Sequence, residues 1–166
     1  MKVEYQILED EYIKLKFFLY YRKPVAIITV ILFVYLMYSV IRDFFAYGFL
    51  SQFDFFFIIM GIYFLIVFPI IFYFRIRKEY RTSKPLQKKV VSEITEERII
   101  DVTEDSTAEA SWNDVYKIEE LKSWFILYYS KQMFGVCPKK AMTQEQIAEF
   151  RRIVNSKNIK AKLKTD

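Results

Sequence analysis

The sequence predicts an α+β membrane protein, in which a hairpin of two transmembrane helices is joined to an antiparallel β-module capped by a carboxy-terminal helix. Three observations predict this class. Two long stretches, residues 24–41 and 55–74, carry no charge. Short runs rich in β-branched and aromatic residues follow from residue 90 onward. Near the end, Thr143 and Gln146 have the spacing of a helix-capping box.

Residues 1–23 predict a strand followed by an interfacial helix. Apolar and polar side chains alternate over residues 2–8, as in a half-buried strand. We expect this strand to pair with the edge of the carboxy-terminal sheet, on the same side of the membrane. Residues 9–21 begin with three acids, which favour a helix amino terminus. The first long apolar run starts only at Pro24, so no cleavable signal peptide is predicted.

The two uncharged stretches predict a transmembrane hairpin over residues 24–74. About 20 mostly apolar residues cross the hydrocarbon layer as a helix. Residues 55–74 meet this length. The first span is slightly shorter, but the long side chains of Lys23 and Arg42 at its ends can extend to the membrane interface. The alternative, a soluble protein with two apolar core helices, is disfavoured by such long uncharged runs. Gly61 suggests a close helix approach, and Pro69 a kink.

The distribution of basic residues predicts the orientation. Residues 75–89, a basic linker, carry seven basic side chains and one acid, whereas the connection between the spans offers only Arg42. The positive-inside rule then makes this a multi-pass cell-membrane protein with both termini in the cytoplasm. Besides the lipid bilayer itself, anionic headgroups are candidate partners of the linker. The candidate contacts are Arg75, Arg77, Lys78 and Arg81.

Residues 90–155 predict the β-module, followed by a basic tail at residues 156–166. Strands are expected at residues 90–94, 98–102, 108–111, 115–121, 124–129 and 133–137, joined by short turns as one antiparallel meander. The closing helix carries Ile147, Phe150 and Val154 on one face, which should cover the sheet. Residues 90–150 hold six basic and twelve acidic side chains, a net charge of −6. This acidic module predicts no nucleic-acid partner.

Few residues of the module suggest chemistry. Trp112 is expected to pack at a strand end, the alternative being a ligand or interface contact. Lys139 and Lys140 are expected to be solvated, the alternative being lipid headgroups; with Trp112 they form the candidate interaction surface. The acid pairs Glu96-Glu97, Glu104-Asp105 and Glu119-Glu120 point to opposite faces of a strand, so solvation explains them better than a metal.

No catalytic, cofactor-binding or metal-binding set is predicted. The chain has no histidine, one cysteine and three glycines. Cys137 therefore has no histidine to activate it, and no glycine-rich phosphate loop is present. A hydrolase or transferase is disfavoured, although carboxylate or metal chemistry stays open.

These residues resemble the YcxB-like family of bacterial membrane proteins. The resemblance lies in the order of parts and in five short motifs. The motifs are ITEERI at residues 94–99, ASWNDV at residues 110–115, KIE at residues 117–119, FILY at residues 125–128 and PKKAM at residues 138–142. Residues 136–142 depart mildly from the family's Ile-Pro-Lys-Arg-Ala-Phe element. The resemblance implies a pleckstrin-homology-like module and transfers no activity or catalytic residue.

Two functional hypotheses follow. The favoured one is a non-enzymatic integral membrane protein whose cytoplasmic module binds a partner protein or a second copy of the chain. The alternative is the sensing or binding of anionic lipid at the cytoplasmic face, in envelope stress or immunity.

Overall fold

The computed structural model describes residues 1–130, 133–157 and 159–163 and divides into two compact units. Leu8–Lys84 form one, the helical unit. Met1–Ile7 and Pro85–Asp166 form the other, the sheet unit. Helices and two sheets together make an α+β fold. The sheet unit is discontinuous in sequence, because the whole helical unit is inserted after its first strand.

The helical unit begins with α1 (Glu9–Tyr21) and α2 (Pro24–Tyr47). A connection follows, and then α3 (Gln52–Ile62), a π-helical turn (Tyr63–Val67) and α4 (Phe68–Thr82) form one continuous helix. Pro24 occupies the first turn of α2, where its missing N–H is not needed. Gly48 ends α2 with φ of +74°, the left-handed conformation that glycine adopts most easily. Ser51 and Asp54 then cap α3 reciprocally.

Both apolar helices are longer than predicted. The first continues past residue 41 to Tyr47, and the second runs from Gln52 through Thr82, into the expected basic linker. The predicted ends were the first charged residues, but charge does not end a helix. Arg42 and Asp43 pair with each other at 2.8 Å within α2. Both helices are long and apolar enough to cross a membrane.

The helices pack closely at Gly61, as predicted. A Cβ on Gly61 would lie 2.5 Å from the Met37 sulfur of α2, so a larger residue would displace that side chain. The predicted kink at Pro69 has a local counterpart in the π-helical turn just before it. Phe68 donates its N–H to the Tyr63 carbonyl, five residues back. This wider turn accommodates a proline, which offers no N–H of its own.

Among the described residues, eight strands and the helix α6 (Gln144–Ser156) build the sheet unit. The first sheet has the order β1 (Lys2–Tyr5), β2 (Val90–Ile94), β3 (Arg98–Val102), β4 (Thr107–Ser111). The second contains β5 (Lys117–Glu120), β6 (Trp124–Tyr128), β7 (Phe134–Pro138) and β8 (Lys160–Lys162), in the order β7-β6-β5-β8. The one-turn helix α5 (Lys84–Gln87), which precedes β2, begins at the last residue of the helical unit.

The amino-terminal strand is at the predicted place. It pairs antiparallel with β2, with Val3 opposite Ser92. The prediction of one antiparallel meander is wrong. The 3₁₀ turn Trp112–Asp114 ends the first sheet, and the chain then begins a second sheet. The structure also differs from the prediction of a basic tail, because residues 160–162 of that tail form β8, which pairs parallel with β5. Its Lys-Ala-Lys sequence carries no apolar alternation that would mark a strand. Residues 158 and 164–166 of that tail lie outside the described residues.

The core of the sheet unit lies under α6. Thr143 accepts from the Gln146 N–H at 3.2 Å, and Gln146 accepts from the Thr143 N–H at 2.9 Å, so the predicted capping box is confirmed. The predicted stripe is confirmed too: Ile147, Phe150 and Val154 are buried. The Phe150 ring lies 4.4 Å from that of Phe125 on β6. Gln146 also donates to the Lys2 carbonyl at 2.9 Å, which ties α6 to the first strand.

Candidate functional site

A buried carboxylate lies at the end of β5. The Glu120 side chain is 0% exposed and receives two hydrogen bonds from Arg151 of α6, at 2.9 and 3.1 Å. Lys139, in the 3₁₀ turn Lys139–Ala141 that follows β7, donates a third. A buried charge is tolerated only when paired and hydrogen-bonded, and this one is. Lys139 also lies over the Phe125 ring, with Nζ 4.8 Å from its centroid.

The neighbouring Glu119 is buried on the opposite face of β5. It pairs with Lys117, two residues earlier and so on the same side of the strand. The Tyr128 hydroxyl donates to its other oxygen at 3.5 Å. The expectation that Glu119 and Glu120 are solvated is therefore wrong, although they do face opposite ways. The Lys-x-Glu spacing is a local signal that would have indicated the pairing of Glu119, whereas no local signal pointed to the partners of Glu120.

Trp112 lies in the core rather than on an interaction surface. Only 3% of it is exposed, and its ring packs 6.2 Å from that of Phe150. The indole N–H donates to the Thr95 carbonyl at 2.9 Å. The expected packing role is confirmed, and the alternative surface role has no exposed area to support it. Of the other two candidates for that surface, Lys140 is exposed and Lys139 is held against Glu120.

The four basic candidates for lipid contact all lie on α4. Arg77 and Arg81 are both bound to Glu9 of α1, at 2.7 and 3.0 Å. These arginines hold the pKa of Glu9 below its ordinary value. Arg75 and Lys78 are exposed. Half of the predicted lipid-contact set thus also fastens α1 to α4.

A group of titratable side chains lines a small cavity between the two sheets. The cavity holds about 20 Å³, and Tyr5, Asp101, Tyr129 and Cys137 are among its lining residues. Burial raises the pKa of the Cys137 thiol to about 12. The thiol is therefore protonated at neutral pH, which is the unreactive form. Burial also raises the pKa of Asp101, opposed by the hydrogen bond from Ser92.

The four outer strands of the two sheets differ in how their edges are protected. Natural edge strands commonly carry lysine or proline, which hinder pairing with another chain. Lysine occurs on β1 and β8, and Pro138 ends β7. The sequence of β4, Thr-Ala-Glu-Ala-Ser, contains neither. Thr107, Ala108 and Glu109 are exposed, and no other described strand pairs with the outer side of β4.

No curated protein and no solved structure matches the chain. Residues 94–154 match the model of a protein family, described as YcxB-like protein. The match begins at the end of β2 and stops within α6, so it covers β3 to β7 and both turns around Trp112 and Lys139. It confirms over those residues the resemblance predicted from the sequence motifs.

Proposed function

We propose that this chain is a non-enzymatic membrane protein whose sheet unit binds a protein at the cytoplasmic face, by adding a strand of that protein to β4. The partner is another protein or a second copy of the chain. In this mode backbone hydrogen bonds supply affinity, and side chains on alternate positions supply selectivity. The exposed and unpaired edge of β4, which carries neither lysine nor proline, is the observation that carries the proposal.

Exposure of the apolar helices supports the membrane part of the proposal. Only 17% of the most apolar window of α2, and 6% of that of the second helix, is buried. A core helix of a soluble protein would be mostly buried. Large apolar surfaces of this kind need a cover, and a bilayer provides one. The basic residues at both ends of the hairpin favour cytoplasmic termini.

The architecture of the sheet unit supports a pleckstrin-homology-like assignment. Four antiparallel strands form one sheet, three consecutive antiparallel strands form most of the other, and the closing helix α6 packs on the core. The added β8 is a departure from that pattern.

Lipid sensing by the basic linker has weaker support. Arg77 and Arg81 already share Glu9, so part of their charge is neutralised within the helical unit. Arg75 and Lys78 keep the alternative open as exposed cations on α4.

Site-specific photocrosslinking in membranes tests the β4 proposal. A photoreactive amino acid at position 107 of the full chain should give a discrete crosslinked protein. Ala108→Lys should abolish that product, because it places on the exposed edge the residue type that most commonly hinders strand addition. Ala161→Lys, the same substitution on the lysine-bearing edge strand β8, is the matched control and should leave the product unchanged. A product that survives Ala108→Lys would rule out the β4 edge.

A further inference from the structure

A basic pocket lies beside the buried Glu120. Its volume is about 350 Å³, within the range of about 300–1,000 Å³ that is typical of small-ligand sites. Four cationic side chains line it, together with Ser123 and Gln144; the cations are Lys122, Lys139, Lys140 and Arg151. Among the described lining residues none is acidic. The composition suits a small anion far better than an apolar ligand.

Three separate parts of the domain meet at this pocket. Lys122 and Ser123 form the turn between β5 and β6, and Lys139 and Lys140 belong to the 3₁₀ turn after β7. The Lys139 N–H donates to the Ser123 carbonyl at 2.9 Å, which holds the two turns together. Gln144 is the first residue of the 13-residue helix α6. The dipole of that helix adds positive potential at the same place.

The buried Glu120 preorganises two of the cations. Its hydrogen bonds hold Arg151 and Lys139, whose side chains are 19% and 13% exposed. A ligand therefore meets cations that are already ordered, which lowers the entropic cost of binding. Lys122 and Lys140 line the same pocket as these two ordered cations.

We propose that this pocket binds a phosphate group, carried either by a soluble phosphate compound or by a lipid headgroup. Phosphate accepts several charge-assisted hydrogen bonds at once from arginine and lysine. Exposed Lys122 and Lys140 close on the anion from the solvent side, while Arg151 and Lys139 form the fixed wall. This site is separate from the β4 edge and does not depend on the protein-binding proposal.

A calorimetric titration with inorganic phosphate tests the site. The full chain is kept in neutral detergent at constant ionic strength. We expect saturable binding that chloride does not reproduce. Lys122→Gln and Lys140→Gln should each weaken it about five-fold or more, the effect of losing one charged contact. Lys160→Gln, which removes the charge of an exposed lysine on β8, should leave it unchanged. Unaltered tryptophan fluorescence would show that each variant is folded.

Two results would overturn the proposal: no saturable binding of phosphate to the unaltered chain, or equal binding by the double variant Lys122→Gln/Lys140→Gln. The source of the phosphate is resolved by repeating the titration in nanodiscs of phosphatidylcholine, with and without phosphatidic acid. A lower apparent affinity with phosphatidic acid, not reproduced by an equal charge of anionic fatty acid, would assign the site to a lipid headgroup. An unchanged affinity would assign it to a soluble phosphate compound.

Discussion

Each unit of this protein places one carboxylate between two cations, but only one of the two arrangements is enclosed. Glu9 lies between Arg77 and Arg81 in the helical unit, with 26% of its side chain exposed. Glu120 lies between Lys139 and Arg151 in the sheet unit, with 0% exposed. Water and salt screen the first set, whereas the buried Glu120 depends on hydrogen bonds within the protein. Salt and pH can therefore weaken the ion pairs of Glu9 without unfolding the helical unit, whereas the fold of the sheet unit requires the ion pairs of Glu120.

The largest expected effect comes from Glu120→Gln. The substitution leaves Lys139 and Arg151 facing each other without a carboxylate, so the free energy of unfolding of the sheet unit should fall by about 3–5 kcal/mol. Denaturant unfolding of the full chain in detergent, followed by tryptophan fluorescence, measures this. Both tryptophans, Trp112 and Trp124, lie in the sheet unit. The exposed Glu104→Gln is the control, and a similarly small loss for both variants would contradict the comparison.

An intermediate effect is expected for Asp101→Asn. Asp101 is half-buried, and its hydrogen-bond partner among the described residues is the Ser92 hydroxyl. Burial raises its pKa above the ordinary 3.8, so stability falls as pH rises through the folded-state pKa. An asparagine oxygen accepts the same hydrogen bond without ionising. The variant should be more stable at pH 7 by about 1 kcal/mol or less, and the gain should vanish on acidification below that pKa.

Tryptophan-detected unfolding at pH 7 and at acidic pH measures this difference between the two proteins. A gain that persists at acidic pH would show that ionisation of Asp101 is not its cause.

The smallest effect is expected for Glu9→Gln. Its partners lower the pKa of Glu9, so its stabilisation is complete above the ordinary value of 4.5 and is lost as pH falls through the lowered pKa. Exposed pairs contribute little, and salt reduces them further. Hydrogen exchange of residues 9–15 at neutral pH should rise a few-fold at most in low salt. Asp10→Asn, an exposed acid in the same first turn, should change less. An increase insensitive to salt would argue against an ionic cause.

Elements with local signals could be predicted from the sequence. Acids at residues 9–11 marked the start of α1, and the Thr143–Gln146 box marked that of α6. Uncharged runs located both apolar helices, and β-branched residues located β2 and β3. In each case the residues that stabilise the element lie within it or beside it, so a short window of sequence contains the physical cause.

The parts that could not be predicted depend on distant partners. Lys139 and Arg151 are 19 and 31 residues from Glu120, and each comes from a different element. Sequence gives the charges but not their pairing. The same holds for β8, whose Lys-Ala-Lys joins the sheet through parallel backbone pairing with Lys117 to Glu119. The sequence prediction ended the two apolar helices at residues 41 and 74, although they continue to Tyr47 and Thr82. The first charged residue shows where the apolar surface ends, but the helical backbone continues past it.

The insertion of Leu8–Lys84 between β1 and β2 sets the order of events during translation. The ribosome makes β1 before both apolar helices, and its pairing partner, Val90–Ile94, emerges only after those helices have been synthesised. During that interval β1 cannot pair with β2. The first sheet can therefore form only after both apolar helices have been synthesised. A chain truncated before residue 90 lacks β2, the strand with which β1 pairs.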